Sequence, residues 1–289
     1  MPSRLGVVTI LGLTVLVLTG CQNVPLTGRQ QLALIPPNQM MAQASQAYGE
    51  FMQQARIIQG TREDQMVQRV GRRIQHAVER YMTEHNLAGQ LHGYQWQFAL
   101  VDDAKTPNAF CMPGGKIVVY TGILPLTRDE EGLAAVLGHE VAHAIAQHGS
   151  ERASQKMLAS AAGAAVSSVA AGAVTKSSSA ADQAKVKLLA AGFGAAATYG
   201  VLMPYSRLHE SEADRMGMHF MALAGYDPHK AVDLWARFKV VAHKGKQVPP
   251  EFFSTHPSDD TRITQNQATL PEVLPIYQAN LPRRLAEEK

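Results

Sequence analysis

At 289 residues, with 46% hydrophobic and 18% charged side chains, the chain is ample for one sizeable core. A formal charge of +3 is too slight to imply a nucleic-acid partner or an electrostatic clamp on a membrane surface. Two cysteines, Cys21 and Cys111, exclude a disulfide framework.

At the N-terminus, Arg4 supplies a positive charge and Leu5 to Leu18 an apolar run too short to span a bilayer comfortably, followed by Leu18-Thr19-Gly20-Cys21. This resembles a bacterial lipobox, in which Cys21 is lipidated and becomes the first mature residue; a plain signal peptide or an uncleaved anchor is the alternative. The expected organisation is a leader over residues 1–20 and one domain over 21–289. Gln22, in place of an aspartate, favours the outer membrane. Cys111 is then left without a partner, and is expected as a small strand residue rather than a nucleophile.

Two amphipathic helices are expected next, Asn38 to Ile58 and Thr61 to Asn86, the second opening on Thr61 as N-cap with an acid three residues on. Strands follow. Tyr94 to Val101 alternates, Lys116 to Thr121 is β-branched and aromatic after the turn at Pro113-Gly114-Gly115, and Asn108 to Met112 lies between them. The pattern is that of a mostly helical protein carrying a small sheet.

From Asp129 to Gly149, Leu133, Val136, Leu137, Val141, Ala144 and Ile145 recur at helical spacing, with acids at the start and Gly149 as the stop. Inside this segment, His139-Glu140-Val141-Ala142-His143 carries the chemistry. Four residues turn a helix about once, so His139 and His143 share a face on which both rings reach one cation. Glu140 is offset from that face, where it can miss the metal yet act as general base on a water bound to it. The bland alternative is an accidental meeting in an amphipathic helix. His148, five residues past His143, is well over a quarter turn off the ligand face and is expected on the surface.

Two histidines need a third protein ligand and an open position for water. The metzincin arrangement would require glycine at 146 and histidine at 149, where the chain has Ala146 and Gly149. Downstream, SRLHESEADRMG offers Glu210 and Asp214 on one helical face, while Glu212 points away. Glu210 is expected as the third ligand and Asp214 as acceptor of the free N–H of a ligating histidine. A solvated acidic face paired with Arg207 and Arg215 is the alternative. Between the two metal segments, an Ala/Gly-rich stretch over 157–203 reads as a helical hairpin, either a packed or mobile cover or a membrane-inserted element, with disorder as a third possibility.

HEVAH followed by HESEADRMG resembles the HtpX and CAAX prenyl endopeptidase-like zinc metalloproteases, peptidase family M48, and within it the lipid-anchored bacterial members. TPNAFCMPGGKIVVYTGIL and STHPSDDTRI resemble that family's strand block and its late histidine-proline element, so the likeness runs from about Thr106 to Arg262; PLTGRQQLALIP is weakly similar. The resemblance implies an α+β, mostly helical, zincin-like (gluzincin) fold with a small β-sheet beside the HExxH helix. It also implies one zinc ion per chain.

By the same resemblance, Asn108, Ala109, Phe110, Cys111 and Met112 form the edge along which substrate adds as a strand, unless that edge is covered. His256 would approach the zinc, to stabilise the oxyanion or to close the site as a fourth ligand, with a solvent-exposed loop histidine as the alternative. Arg262 would brace its loop. The implied function is a zinc endopeptidase, lipid-anchored through Cys21 at the periplasmic face of the bacterial outer membrane, that cleaves unfolded or misassembled outer-membrane proteins. Chaperone-like holding of the same proteins, or a structural zinc lipoprotein, are the alternatives. The residues after Arg262 leave no room for the helical repeats of some members, and the tail is expected as a proline-punctuated surface segment.

Overall fold

The computed structural model describes residues 21–159, 206–243 and 260–287. The leader 1–20, all but the first residues of the 157–203 stretch, and His256 lie outside the described residues. Strands β1 (Cys21–Asn23) and β2 (Gln30–Leu32) lead into helix α1 (Pro37–Gln54), which has its proline at the first helical position, where no N–H is needed. Strand β3 (Ile57–Ile58) takes two residues the sequence pattern assigned to that helix: two adjacent β-branched residues pair with β4 (Gln97–Val101), Ile57 opposite Val101. Helix α2 (Arg62–Glu84) is capped as expected. The Thr61 hydroxyl accepts from the Asp64 N–H at 3.2 Å, and the Asp64 carboxylate accepts from the Gly60 N–H at 2.8 Å.

Strands β5 (Ala109–Met112) and β6 (Lys116–Tyr120) complete a four-stranded sheet of order β3-β4-β6-β5, in which only the β4–β6 pair is parallel. β5 is therefore at one end of the sheet, and its register sets Cys111 opposite Ile117. A short α3 (Leu124–Thr127) precedes α4 (Glu130–Ile145), whose N-terminus is capped by Asp129 accepting from the Gly132 N–H at 2.9 Å. Among the described residues, the remaining α-helices are α5 (148–159), α6 (Arg207–Leu223), α7 (His229–His243) and α8 (Asp260–Glu287).

The helix expected to run to Gly149 stops four residues earlier. Ile145 ends α4, Gln147 adopts a left-handed φ of 54°, and α5 starts at 148, so the chain changes direction just ahead of His148. The proline-punctuated C-terminal tail lies at the surface, as expected, in helical form. It is a helix that buries Val273, although Pro271, Pro275 and Pro282 lie inside it. Spacings of four and seven put the three prolines on one exposed face, where water can satisfy the carbonyls that lose their partners.

The described residues fall into two compact units. In one, β1 pairs with β2 antiparallel, and the Ser154 hydroxyl of α5 accepts from the Leu34 N–H at 2.9 Å while donating to the Ser150 carbonyl at 2.8 Å. The other holds Val24–Arg29, residues 37–148, and α6 to α8. Its core packs Val67, Val70, Ile74 and Val78 of α2 against the sheet and against α4, which is buried from Gly132 to its end. Each fully buried Leu, Ile, Val or Met contributes about 1.5–3 kcal/mol. No described helix is long and apolar enough to cross a membrane.

Candidate metal centre

Two crossing helices build the site. α4 brings His139 and His143 one turn apart, and α6, whose first turn is capped by the Ser206 hydroxyl, brings Glu210 against them. Helix-on-helix approach is close because Gly138 and Gly217 stand at the crossing. The three donor groups are buried, and their ligating atoms lie within 4.8 Å of one another. His139 Nε2 is 3.1 Å from His143 Nε2, and Glu210 oxygens lie 3.5 Å from His139 Nε2 and 3.4 Å from His143 Nε2. Donors bound to one tetrahedral ion at about 2.0–2.1 Å sit about 3.3 Å apart, so this triangle has the dimensions of a ligand set. Two imidazoles and a carboxylate suit a divalent transition metal.

Electrostatics support the same reading. Burial lowers the pKa of His139, but hydrogen bonds and charge from Asp214 and Glu210 outweigh it and push it up to about 9. Burial holds His143 well below the usual histidine range, with the charges of His139 and His148 adding to the effect and Glu210 opposing it. Glu140 is buried on α4, and its negative charge reaches Cys111 of β5 and Arg262 of α8. Trp235 of α7 packs edge-on against His139 with ring centroids 5.3 Å apart.

Asp214 lies where the helical spacing puts it, with Oδ1 2.9 Å from His139 Nδ1. Burial raises its pKa, yet Arg262 and His139 prevail and the carboxyl is held below its ordinary range. Arg262 is expected to brace the loop of His256, which lies outside the described residues, and what the structure adds is a different role. Its guanidinium is buried in the site, donating to both Asp214 oxygens at 2.7 and 2.6 Å, pairing with Glu210 Oε2 at 2.7 Å, and lying 3.8 Å over the Trp235 ring. Nothing local in the sequence announces this role, since the partner residues are about fifty positions away. The alternative in which the acids of α6 are solvated fails, because Arg215 pairs with Glu272 and Glu210, Glu212 and Asp214 are all buried.

His148 is not a surface residue. It is fully buried, with Nδ1 2.9 Å from His143 Nδ1 and Nε2 3.0 Å from Glu212 Oε2. The helix break at Gln147 turns it back toward the site, which a continuous helix would not do. Burial drives its pKa down to about 4. Glu212 does face away from the ligand triangle, as its spacing requires, but into a buried cluster rather than solvent. Arg29 Nε donates to it at 2.8 Å, and so does the Thr27 hydroxyl.

Of the expected substrate edge, Ala109 to Met112 form β5, with Asn108 just before it accepting from the Tyr120 N–H at 3.0 Å. Among the described residues no strand pairs with the outer side of β5. Its side chains alternate. Ala109 and Cys111 join the core shared with α4, while Phe110 meets Phe51 edge-on at 5.7 Å. Cys111 takes part in no disulfide, and burial together with the charge of Glu140 raises its thiol pKa above the ordinary range.

Comparison with known proteins places these features. Residues 68–269 match the model of peptidase family M48. The mitochondrial metalloendopeptidase OMA1 of Schizosaccharomyces pombe is 38% identical over 179 residues, covering 62% of this chain and 48% of the relative. The human metalloendopeptidase OMA1, mitochondrial, is 28% identical over 254 residues, covering 87% and 46%. The putative beta-barrel assembly-enhancing protease of Vibrio cholerae is 28% identical over 195 residues, covering 62% and 38%. The chain thus spans about half the length of these relatives or less.

These likenesses correct the expected location. A lipid anchor at Cys21 on the periplasmic face of a bacterial outer membrane was read from a few residues around a short apolar run. Relatives from fungi, a plant and mammals, similar over 62% to 87% of the chain, are mitochondrial enzymes, and they overturn that assignment.

Proposed function

The chain belongs to peptidase family M48, and from that premise we propose that it is a metalloendopeptidase in which His139, His143 and Glu210 hold one zinc ion, with Glu140 as the general base of peptide hydrolysis. The 3.1–3.5 Å triangle of buried donor atoms carries this reading. Zinc in such a site polarises a carbonyl and lowers the pKa of water toward neutrality. Glu140, one residue past His139, takes the proton from the attacking water at its carboxylate and returns it to the leaving amine. Asp214 and Arg262 hold the His139 ring and the Glu210 carboxylate in place, so these groups need not reorganise during the reaction.

Substrate peptide adds as a further strand along Asn108 to Met112, since β5 ends the sheet and packs beside α4. Main-chain pairing of this kind tolerates many sequences, which suits a protease for unfolded or misassembled membrane-associated proteins, the quality-control role we assign. The name of the Vibrio relative, a beta-barrel assembly-enhancing protease, supports that substrate class.

The test compares wild type with Glu140→Gln for bound zinc and for cleavage of an unfolded protein such as casein. Zinc in both, with chelator-sensitive cleavage in wild type alone, is the expected result. Zinc without cleavage in either would replace hydrolysis with a holding role, and absence of zinc would remove the metal assignment.

A further inference from the structure

We propose that the turn Val24–Arg29 positions the second metal ligand, through a relay in which Arg29 and Thr27 orient Glu212, Glu212 orients His148, and His148 holds the His143 ring by Nδ1 so that Nε2 faces the metal. The inference rests on the assignment of His139, His143 and Glu210 as ligands. Each link is a direct contact: Arg29 Nε to Glu212 Oε2 at 2.8 Å, Glu212 Oε2 to His148 Nε2 at 3.0 Å, and His148 Nδ1 to His143 Nδ1 at 2.9 Å. The Thr27 hydroxyl adds a second donor to Glu212. Side-chain exposure falls along the relay from 20% at Arg29 to 4% at Glu212 and 0% at His148, so its strength grows as water is excluded.

Proton placement follows from what each group can do. A carboxylate clamped by arginine only accepts, so His148 carries its N–H on Nε2 and its Nδ1 becomes an acceptor. That acceptor takes the Nδ1–H of His143, which leaves the lone pair of His143 on Nε2, the nitrogen that faces His139 and Glu210. His209 stacks on His148 with centroids 4.4 Å apart and fixes the ring plane. The arm of His139 has the same logic with one part fewer: Nδ1 meets Asp214, which Arg262 clamps. Both arms end on a carboxylate of α6, two residues apart. Asp214 faces its histidine directly, whereas Glu212 points the other way and needs His148 to span the gap.

The turn is built to hold that shape. Val24 N–H donates to the Arg29 carbonyl at 2.8 Å, Gly28 N–H to the Val24 carbonyl at 2.9 Å, and Gly28 sits at a φ of 68°, which glycine adopts without strain. Its sequence, VPLTGR, is the part of the N-terminal segment that the hydrolytic machinery does not otherwise use.

The experiment uses the full chain. Nitrogen-15 spectra of histidine-labelled protein read the tautomers, with His143 protonated at Nδ1 and His148 at Nε2 as the expected pattern. Zinc release to a chelator is then timed in wild type, Arg29→Ala, Arg29→Lys, His148→Leu and His148→Asn, with the melting temperature of each metal-free protein measured alongside. Loss of an outer partner of a ligand should speed release about 10–100-fold in the alanine and leucine variants, and the lysine and asparagine variants should recover most of it. Should His148→Leu fail to fold, the Arg29 pair decides. A proton on Nδ1 of His148, or unchanged release from folded Arg29→Ala, overturns the relay while leaving the metal site intact. A wild-type protein that binds no zinc overturns the ligand assignment itself.

Discussion

Gly138 of α4 and Gly217 of α6 meet backbone to backbone: a Cβ on Gly138 would lie 2.7 Å from the Gly217 carbonyl oxygen, and one on Gly217 would lie 2.7 Å from the His139 amide nitrogen. The obstacle in each case is main chain, so a side chain there can be fitted only by moving the helices apart.

Gly217→Ala is therefore expected to cost about 1–3 kcal/mol and to weaken metal binding, because separation of α4 from α6 carries Glu210 away from the two histidines. Thermal melting and zinc titration check it. Gly49→Ala, on an exposed helical position with open space around it, is the control and should leave the protein as stable or slightly more so.

Arg262→Ala leaves Asp214 and Glu210 buried beside each other without their shared cation, and should destabilise the metal-free protein by about 3–5 kcal/mol. Arg262→Lys should restore little of this, because one ammonium cannot make the paired contacts to Asp214 and the separate one to Glu210 while lying flat on Trp235. Urea unfolding of the chelated variants measures both.

Cys111 offers a pH test away from the ligands. Burial, with the negative charge of Glu140 adding to it, raises the thiol pKa, so the reactive thiolate is scarcer at pH 8–9 than in an ordinary cysteine. Alkylation at Cys111, followed by peptide mapping, should be slow in that range and climb only at strongly alkaline pH, and become fast once the protein is unfolded. Rapid labelling of the folded protein at pH 8 would show the thiol to be neither buried against α4 nor in the field of Glu140.

Chelation of the metal should lower the melting temperature, and added zinc should restore it in a concentration-dependent way. Free zinc at a hundredfold excess over its dissociation constant stabilises the folded state by about 2.7 kcal/mol. Loss of the shift in His143→Ala ties it to this site.

His139, His143, Glu210 and Asp214 were legible because helical geometry alone fixes which of them share a face. The caps at Thr61 and Asp129 were legible for the same reason, being local. Arg262 and the Arg29–Glu212–His148 cluster were not, since their partners are distant in sequence and only packing joins them. His148 was misplaced by a specific error, the assumption that α4 continues to Gly149; the left-handed residue at Gln147 is not a glycine or asparagine and gives no signal. The surface position of the tail was legible, but its helical form was not, because three prolines argue locally against a helix unless they share one exposed face.

Charge balance follows from the site's inventory. Glu140, Glu210 and Asp214 are buried together with Arg262, so three carboxylates and one guanidinium leave two negative charges in a medium that tolerates none, while Glu212 is balanced by Arg29. A divalent ion makes this interior neutral, and a monovalent one does not. In the metal-free protein protons make up part of the deficit, and His139, whose pKa Asp214 and Glu210 push up to about 9, is the group most favoured to hold one. Filling the site therefore expels acid, and acidification from that value downward sets hydrogen ions in competition with the metal for the same place.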